Sequence, residues 1–317
     1  MIDRYFFTNV AAVLGLMAAI SLIELVVPLF ARSETTRGRG VANLGMTALA
    51  IALNGGLTAL AAVVALAPSV SGRGLLAPLV LPPWAKIALG VAVLDLSTYV
   101  AHLTMHTSSL LWRAHRVHHS DPFVDVSTTL RQHPLEGLWR FLWTIIPVWL
   151  LGLPAAGVVV YRLLSTMNAL FEHANIRMWR PLDSALSLLI STPNMHKIHH
   201  SRRQVQTDTN YGNILAVYDR LFRTFTPTRQ AFDVVYGLED VDPARIKSLP
   251  GLLTMPFRDA SKSAKAREPW PSDTTSSLHG SSPRCERSRA LFARTASRSS
   301  STSRSRGHLE TSSIERG

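Results

Sequence analysis

The chain has 317 residues, 47% of them hydrophobic and only 17% charged, and its mean hydropathy is positive. A water-exposed fold normally carries about 25% charged residues, so this composition argues against an ordinary soluble protein. The single Cys285 rules out an intramolecular disulfide framework and a cysteine-rich zinc module. The net charge of +12 is uneven: from Arg258 onward there are twelve Lys/Arg against six Asp/Glu, half of the excess. That favours a solvated tail and a membrane surface over a nucleic-acid partner.

In chain order, four regions have the length a membrane crossing needs, about 20 apolar residues. The first runs from Tyr5 to Ala31 and reads as an anchor, being too long for the core of a cleaved signal. The second runs from Val41 to Ala67, and the third from Trp84 to Met105. The fourth, Leu138 to Leu170, is interrupted by Pro147, Gly152 and Pro154, which predicts a helical hairpin that enters and returns. Arg32, Arg37 and Arg39 mark the first loop as cytoplasmic, and parity then gathers the polar segments after Met105 on the same side. The Ser/Arg-rich stretch 258–317 has too little apolar content to order and is expected to be a disordered tail.

Ten of the twelve histidines fall between positions 102 and 200. They read His102 and His106; His115, His118 and His119; a lone His133; a lone His173; and His196, His199 and His200. In a helix, positions i, i+3 and i+4 share a face, so each H-x-x-H-H group is expected to present two or three imidazoles in one direction. Imidazole is a ligand for iron, zinc, copper and nickel. Ten rings exceed what one ion needs, which predicts two metal ions. No H-E-x-x-H supplies a metalloprotease base, and no cysteine lies near the cluster. An iron centre that activates O2 fits an all-nitrogen set; zinc satisfies the same ligands.

The segments DLSTYVAHLTMH, LLWRAHRVHHSDP, TTLRQHPLE, FEHANIR, TPNMHKIHHS and TNYGNILAVYDRLFRTF, between Leu94 and Pro227, together resemble the fatty acid hydroxylase (sterol desaturase) superfamily. The resemblance implies an integral membrane, non-haem di-iron oxygenase that hydroxylates or desaturates C–H bonds of a lipid such as a sterol or fatty acyl chain. It implies metal ligation by His102, His106, His115, His118, His119, His133, His173, His196, His199 and His200. Three positions depart from the family pattern: Tyr218 in place of the usual Trp, Arg223-Thr224 in place of Gly-Thr, and Leu103 after the first histidine. The implied partners are a lipid substrate, O2, a separate electron-donor protein and membrane lipids.

Among acids, Glu172, Asp208 and Asp95 are the candidates to orient a ligand, whereas Asp121, Asp125 and Glu136 read as solvated interfacial acids. Trp112 and Trp139 read as interfacial belt residues, and Arg113, Arg116, Arg202 and Arg203 as partners of lipid phosphates. The expected fold is all-α: an integral membrane helical bundle of about four crossing segments, one hairpin-like, under a cytoplasmic histidine-rich helical cap. Residues 1–90 would form the anchor, 91–227 the catalytic domain, 228–257 a closing segment and 258–317 the tail. The expected location is a bacterial inner membrane. The rival readings are a zinc-dependent membrane hydrolase and a metal-handling transporter.

Overall fold

A helix that packs against other helices on one side and is apolar on the other cannot be read as a water-soluble element. Helix α2, Arg39–Ser71, is of that kind: only 17% of its most apolar window is buried. The structure, a computed structural model, describes residues 2–32, 38–71 and 74–258, all within one unit, Met1–Glu268. Those residues are helical, with isolated bridges but no strand among them. Apart from Arg258, the expected tail lies outside the described residues.

Among the described residues, two helices are long and apolar enough to cross a membrane: α2 over Arg39–Leu66, and α3, Pro83–Thr107. Helix α1, Ile2–Val26, contributes a shorter apolar stretch, Val10–Val26. Helices α5, Pro134–Leu151, and α6, Ala155–His173, follow, and they pack with α2 and α3 as a four-helix bundle. Its core includes Ala61, Ala65, Leu94, Val148, Leu153, Val158 and Tyr161. The α5–α6 break comes at Gly152, not at Pro147, which α5 passes through. Gly152 adopts a left-handed φ of 69° and Pro154 begins the next helix, since glycine reaches that conformation without strain. The loop before α3 meets this turn through bonds from the Leu75 and Leu76 amides to the carbonyls of Leu150 and Leu151.

At the other end of the bundle, α3 breaks at Ser108, whose hydroxyl caps α4, Ser109–His119. Four short helices, α7 (Arg180–Leu186), α8 (Pro193–His199), α9 (Gln204–Thr207) and α10 (Val217–Leu221), surround that end. Helix α11, Leu249–Arg258, then packs on α2 and α4 through Ala42, Met46, Val117, Leu252 and Met255.

Several polar residues of this end, among them Arg39, Asn43, Arg116, Asp121 and Asp125, are buried. Arg39 donates to Asp121 Oδ2 at 2.8 Å and also pairs with Asp125, while Asn43 donates to Asp121 at 2.9 Å. Asp121 and Asp125 therefore tie α2 to the segment after α4, which corrects their reading as interfacial acids. Arg116 is likewise buried against Asp240 at 2.6 Å, and Arg113 donates to Pro256 O at 2.6 Å. Arg202 donates to the Tyr236 carbonyl at 3.1 Å. Of the four arginines read as partners of lipid phosphates, Arg116 is thus buried against a protein carboxylate, whereas Arg202 and Arg203 remain exposed. Glu24 near the end of α1 accepts from the amides of Val126 and Asn175, fastening α1 to the same layer.

Candidate metal centre

Nine of the ten histidines converge. His102 and His106 come from the last turns of α3, and His115, His118 and His119 from α4. His173 ends α6, while His196, His199 and His200 belong to α8 and its C-cap. They form two groups, each with its potential ligand atoms within 4.8 Å of one another: His102, His106, His115, His119 and His199; and His118, His173, His196 and His200. All nine are buried. Neither H-x-x-H-H stays together. The i and i+4 rings of α4 join the first group and its i+3 ring the second, and α8 does the reverse. Two helices on opposite sides thus share their rings between two centres.

Hydrogen bonds at Nδ1 decide which nitrogen carries the lone pair. His102 Nδ1 donates to Tyr211 O at 2.9 Å, His199 Nδ1 to Thr209 O at 2.8 Å and His173 Nδ1 to Ala169 O at 2.7 Å. A carbonyl only accepts, so each of these rings turns a bare Nε2 into its group. His106 Nδ1 lies 3.2 Å from Asp208 Oδ1 with the same consequence, and His115 Nδ1 lies 3.0 Å from Glu136 Oε2 without hydrogen-bond geometry. Yet His102 Nε2 and His115 Nε2 are 3.1 Å apart. The bare His102 nitrogen thus points at another ring nitrogen, an approach that an ion between the two rings would bridge. In the second group, His173 Nε2 is 3.1 Å from His118 Nε2 and 3.0 Å from His196 Nε2.

These separations suit a metal. Two imidazole nitrogens about 2.0–2.1 Å from one ion stand roughly 2.9–3.4 Å apart at octahedral or tetrahedral angles. Burial also pushes the imidazoles of His115, His118, His119, His196, His199 and His200 well below their ordinary pKa, and that of His173 down to about 3. Neutral rings are the form that ligates. The donor set therefore fits two metal ions.

His133 stands apart from both groups. Its Nδ1 accepts from the Leu135 amide at 3.2 Å, capping α5, and its Nε2 lies 3.2 Å from Leu253 O. Both ring nitrogens already have backbone partners. Three residues on, Glu136 is the member of the H-P-x-E segment that reaches the site, and Arg140 holds its other oxygen at 3.1 Å. Asp208 and Glu172 lie where expected: Asp208 beside His106, and Glu172 with Oε1 3.9 Å from both His173 Nδ1 and His196 Nε2. Asp95 touches no histidine. Its carboxylate accepts from Asn213 Nδ2 and from the amides of Ile214 and Leu215, at 3.2, 3.1 and 2.8 Å.

The segment that supplies the two carbonyls is shaped by its own sequence. Asn210 has a φ of 57° and binds Met195 O, Thr226 O and the Thr226 amide through its side chain. At Gly212 an added Cβ would stand 2.8 Å from Asp219 Oδ2, which itself binds the Gly212 amide. Thr209, Asn210, Tyr211 and Gly212 thus make a tight turn that presents the Thr209 and Tyr211 carbonyls to the first group. Trp112, read as a belt residue, packs its ring 5.0 Å from His106 and 5.3 Å from His119. Trp139 donates to Thr104 Oγ1 at 3.1 Å. Lys197 lies fully buried between ligand positions, its ammonium donating to His173 O and Ala174 O at 2.8 Å each; burial pushes it down to about 7.

Residues 87–224 match the model of the fatty acid hydroxylase family. An ornithine lipid hydroxylase of Rhizobium tropici is 34% identical over 141 residues, 44% of this chain and 41% of that protein. The alkylglycerol monooxygenase of Homo sapiens is 32% identical over 162 residues, 49% of this chain and 33% of that protein. The one from Caenorhabditis elegans is 28% identical over 146 residues, 45% of this chain and 28% of that protein. The chain thus spans less than half the length of each of these relatives. No solved structure matches. The matched region opens near the start of α3 and closes just after α10, enclosing all nine converging histidines, so the similarity to the fatty acid hydroxylase family coincides with the candidate metal centre.

Proposed function

We propose that this protein is a membrane-bound, non-haem di-iron oxygenase that hydroxylates a C–H bond of a lipid, using O2 and electrons from a separate donor protein. The observation that carries this reading is the convergence of nine buried imidazoles in two groups, with the bare Nε2 atoms of His102 and His173 each 3.1 Å from a neighbouring ring nitrogen. Relatives named as a lipid hydroxylase and as alkylglycerol monooxygenases support hydroxylation over desaturation. An acyl, ether-linked or related lipid is the substrate class we assign.

Nine imidazoles would hold the pair, five at one ion and four at the other, with His133 left to its capping role. Bound iron would supply the redox chemistry that activates O2. The chain's own residues do the rest. Tyr211 O, Thr209 O, Ala169 O and Asp208 keep four rings turned inward, each holding a proton at Nδ1, and Glu136 sets a carboxyl group beside His115. Burial of all nine rings excludes bulk water, and Glu172 sets a carboxylate beside the second group.

The arrangement of ends supports a shared face. The Arg39 end of α2 meets Asp121 just beyond α4, so it lies with the histidines, while the Gly74 and Gly152 turns lie at the opposite end of the bundle. With Arg32 exposed beside it, this face is assigned to the cytoplasm of a bacterial inner membrane. We assign α5 and α6 as the hairpin and α1 as a further anchor.

The test is elemental analysis of protein purified in mild detergent after iron supplementation, beside a His118→Ala/His199→Ala variant, which removes one ligand from each group. Two irons per chain in the parent, lost in the variant, together with 18O from labelled O2 entering extracted lipid, is the expected result. No stoichiometric metal in either protein would overturn the reading, and two zincs with no label in lipid would favour a hydrolase.

A further inference from the structure

Between the histidines of α6 and those of α8, and again after His200, the chain exposes large apolar side chains where a cytoplasmic cap would be polar. The first segment exposes Trp179, Leu188 and Leu189, and the second Val217, Leu221 and Phe222. Sequence separates them by some thirty residues, but two backbone bonds staple them together: the Ser191 amide donates to Ile214 O and the Ala216 amide to Leu189 O, both at 2.9 Å. They form one surface. Contiguous exposed apolar area of this kind marks a contact with lipid or with another protein.

Three observations select lipid. Within residues 177–189 and 214–223 the exposed charges are of one sign: Arg177, Arg180 and Arg223 are exposed, whereas Asp183 and Asp219, the carboxylates of those segments, are buried; the nearby Asp233 is exposed, following Phe232, over whose ring Arg180 lies. A cationic rim around an apolar patch with Trp at its edge suits anionic headgroups above acyl chains. The second observation is depth. Asp95 holds the Ile214 and Leu215 amides, and the Tyr218 hydroxyl donates to Ala92 O at 2.8 Å. Asp95 is twelve residues from Pro83 in the spanning helix α3, or about 18 Å at 1.5 Å per residue. That is inside a hydrocarbon core about 30 Å thick. The third observation is that the non-helical backbone at this depth has buried partners in Asp95 and Asp219, which irregular backbone inside a bilayer requires.

We infer that the surface formed by residues 179–189 and 214–222 is embedded in the bilayer and lies against the acyl chains of anionic lipids, so that the histidine layer dips into the membrane beside α3. The inference rests on the membrane reading of α3 but not on the identity of the metal. It also gives the site a lipid-facing side. Phe222 stacks on Tyr99 at 5.3 Å, Tyr99 meets Tyr211 at 6.1 Å, and Tyr211 packs 5.1 Å from His106. An aromatic lane therefore connects the exposed surface with the first histidine group.

The experiment is site-directed spin labelling of the full chain in a Cys285→Ala background, reconstituted in vesicles of phosphatidylglycerol and phosphatidylethanolamine. Labels go at Leu189→Cys and Leu221→Cys, with Leu60→Cys on α2 as the spanning control and Glu239→Cys as the aqueous control; all four positions are exposed. Collision with dissolved O2 is compared with collision with a water-soluble nickel chelate. The expected result is that positions 189 and 221 behave as position 60 does, open to O2 and shielded from nickel. If they follow position 239 while position 60 stays shielded, the inference is overturned and the membrane reading stands. If position 60 is itself open to nickel, both are overturned.

Discussion

The two histidine groups draw on the same helices yet are held in different ways. In the first group, three of five rings have a hydrogen-bond acceptor at Nδ1, namely Tyr211 O, Thr209 O and Asp208, and a fourth ring, His115, has Glu136 Oε2 3.0 Å from its Nδ1 without hydrogen-bond geometry. In the second, His173 has Ala169 O, whereas the Nδ1 atoms of His118, His196 and His200 are buried with no hydrogen-bonding partner. A ring fixed from behind keeps its lone pair aimed with or without an ion; a ring without such a partner gains its order from the ion itself. The first centre is therefore the pre-organised one and the second the more dependent on metal. Under a titrated chelator, the second group should empty first.

The largest effects come from splitting the adjacent pair His199 and His200, which serve different groups. His199→Ala and His200→Ala should each lose one of two metals, with distinct residual spectra, and lipid oxidation should fall more than about 100-fold in both. Equal loss of both metals in either variant would mean that the groups are not separable. Next in size is Glu136→Gln, which keeps the shape but removes the charge facing His115. Retention of metal by the first group should weaken by about 10–100-fold, as removal of a ligand's outer partner typically does, while the second group is unchanged. Glu172→Gln should show the opposite selectivity, measured in the same competition assay.

Smaller effects should spare the metal. Asp95→Ala removes the acceptor for Asn213 and two amides, so thermal unfolding should report a loss of about 1–3 kcal/mol. The metal-to-protein ratio should stay at the parent value. His133→Ala is expected to have the smallest effect, a lost helix cap of about 1 kcal/mol with both metals retained. Loss of metal in that variant would return His133 to the ligand set.

Much of this site is legible in the sequence because metal ligation leaves a local mark. The i, i+3, i+4 offsets of His115–His119 and His196–His200 put rings within reach of one another on any helix. Apolar length marks α2 and α3 in the same local way. Burial does not leave such a mark. Asp121, Asp125 and Arg116 look like solvated charges because their partners, Arg39 and Asp240, lie far away in sequence. Glu136 was passed over for the same reason: its contact with His115 depends on how α5 packs against α4.

By itself, the sequence determined the residue types, the helical spacing and the apolar lengths, and from these the chemistry of an all-imidazole centre beside a membrane. The tertiary structure alone decided that each H-x-x-H-H is divided between two centres. It also placed His133 outside both histidine groups and left Trp179, Leu189, Leu221 and Phe222 exposed on neighbouring segments. The physical reason is that ligand type and helical phase are properties of a short stretch of chain. Which ring faces which, and which carboxylate stands behind it, depends on how distant helices close on one another.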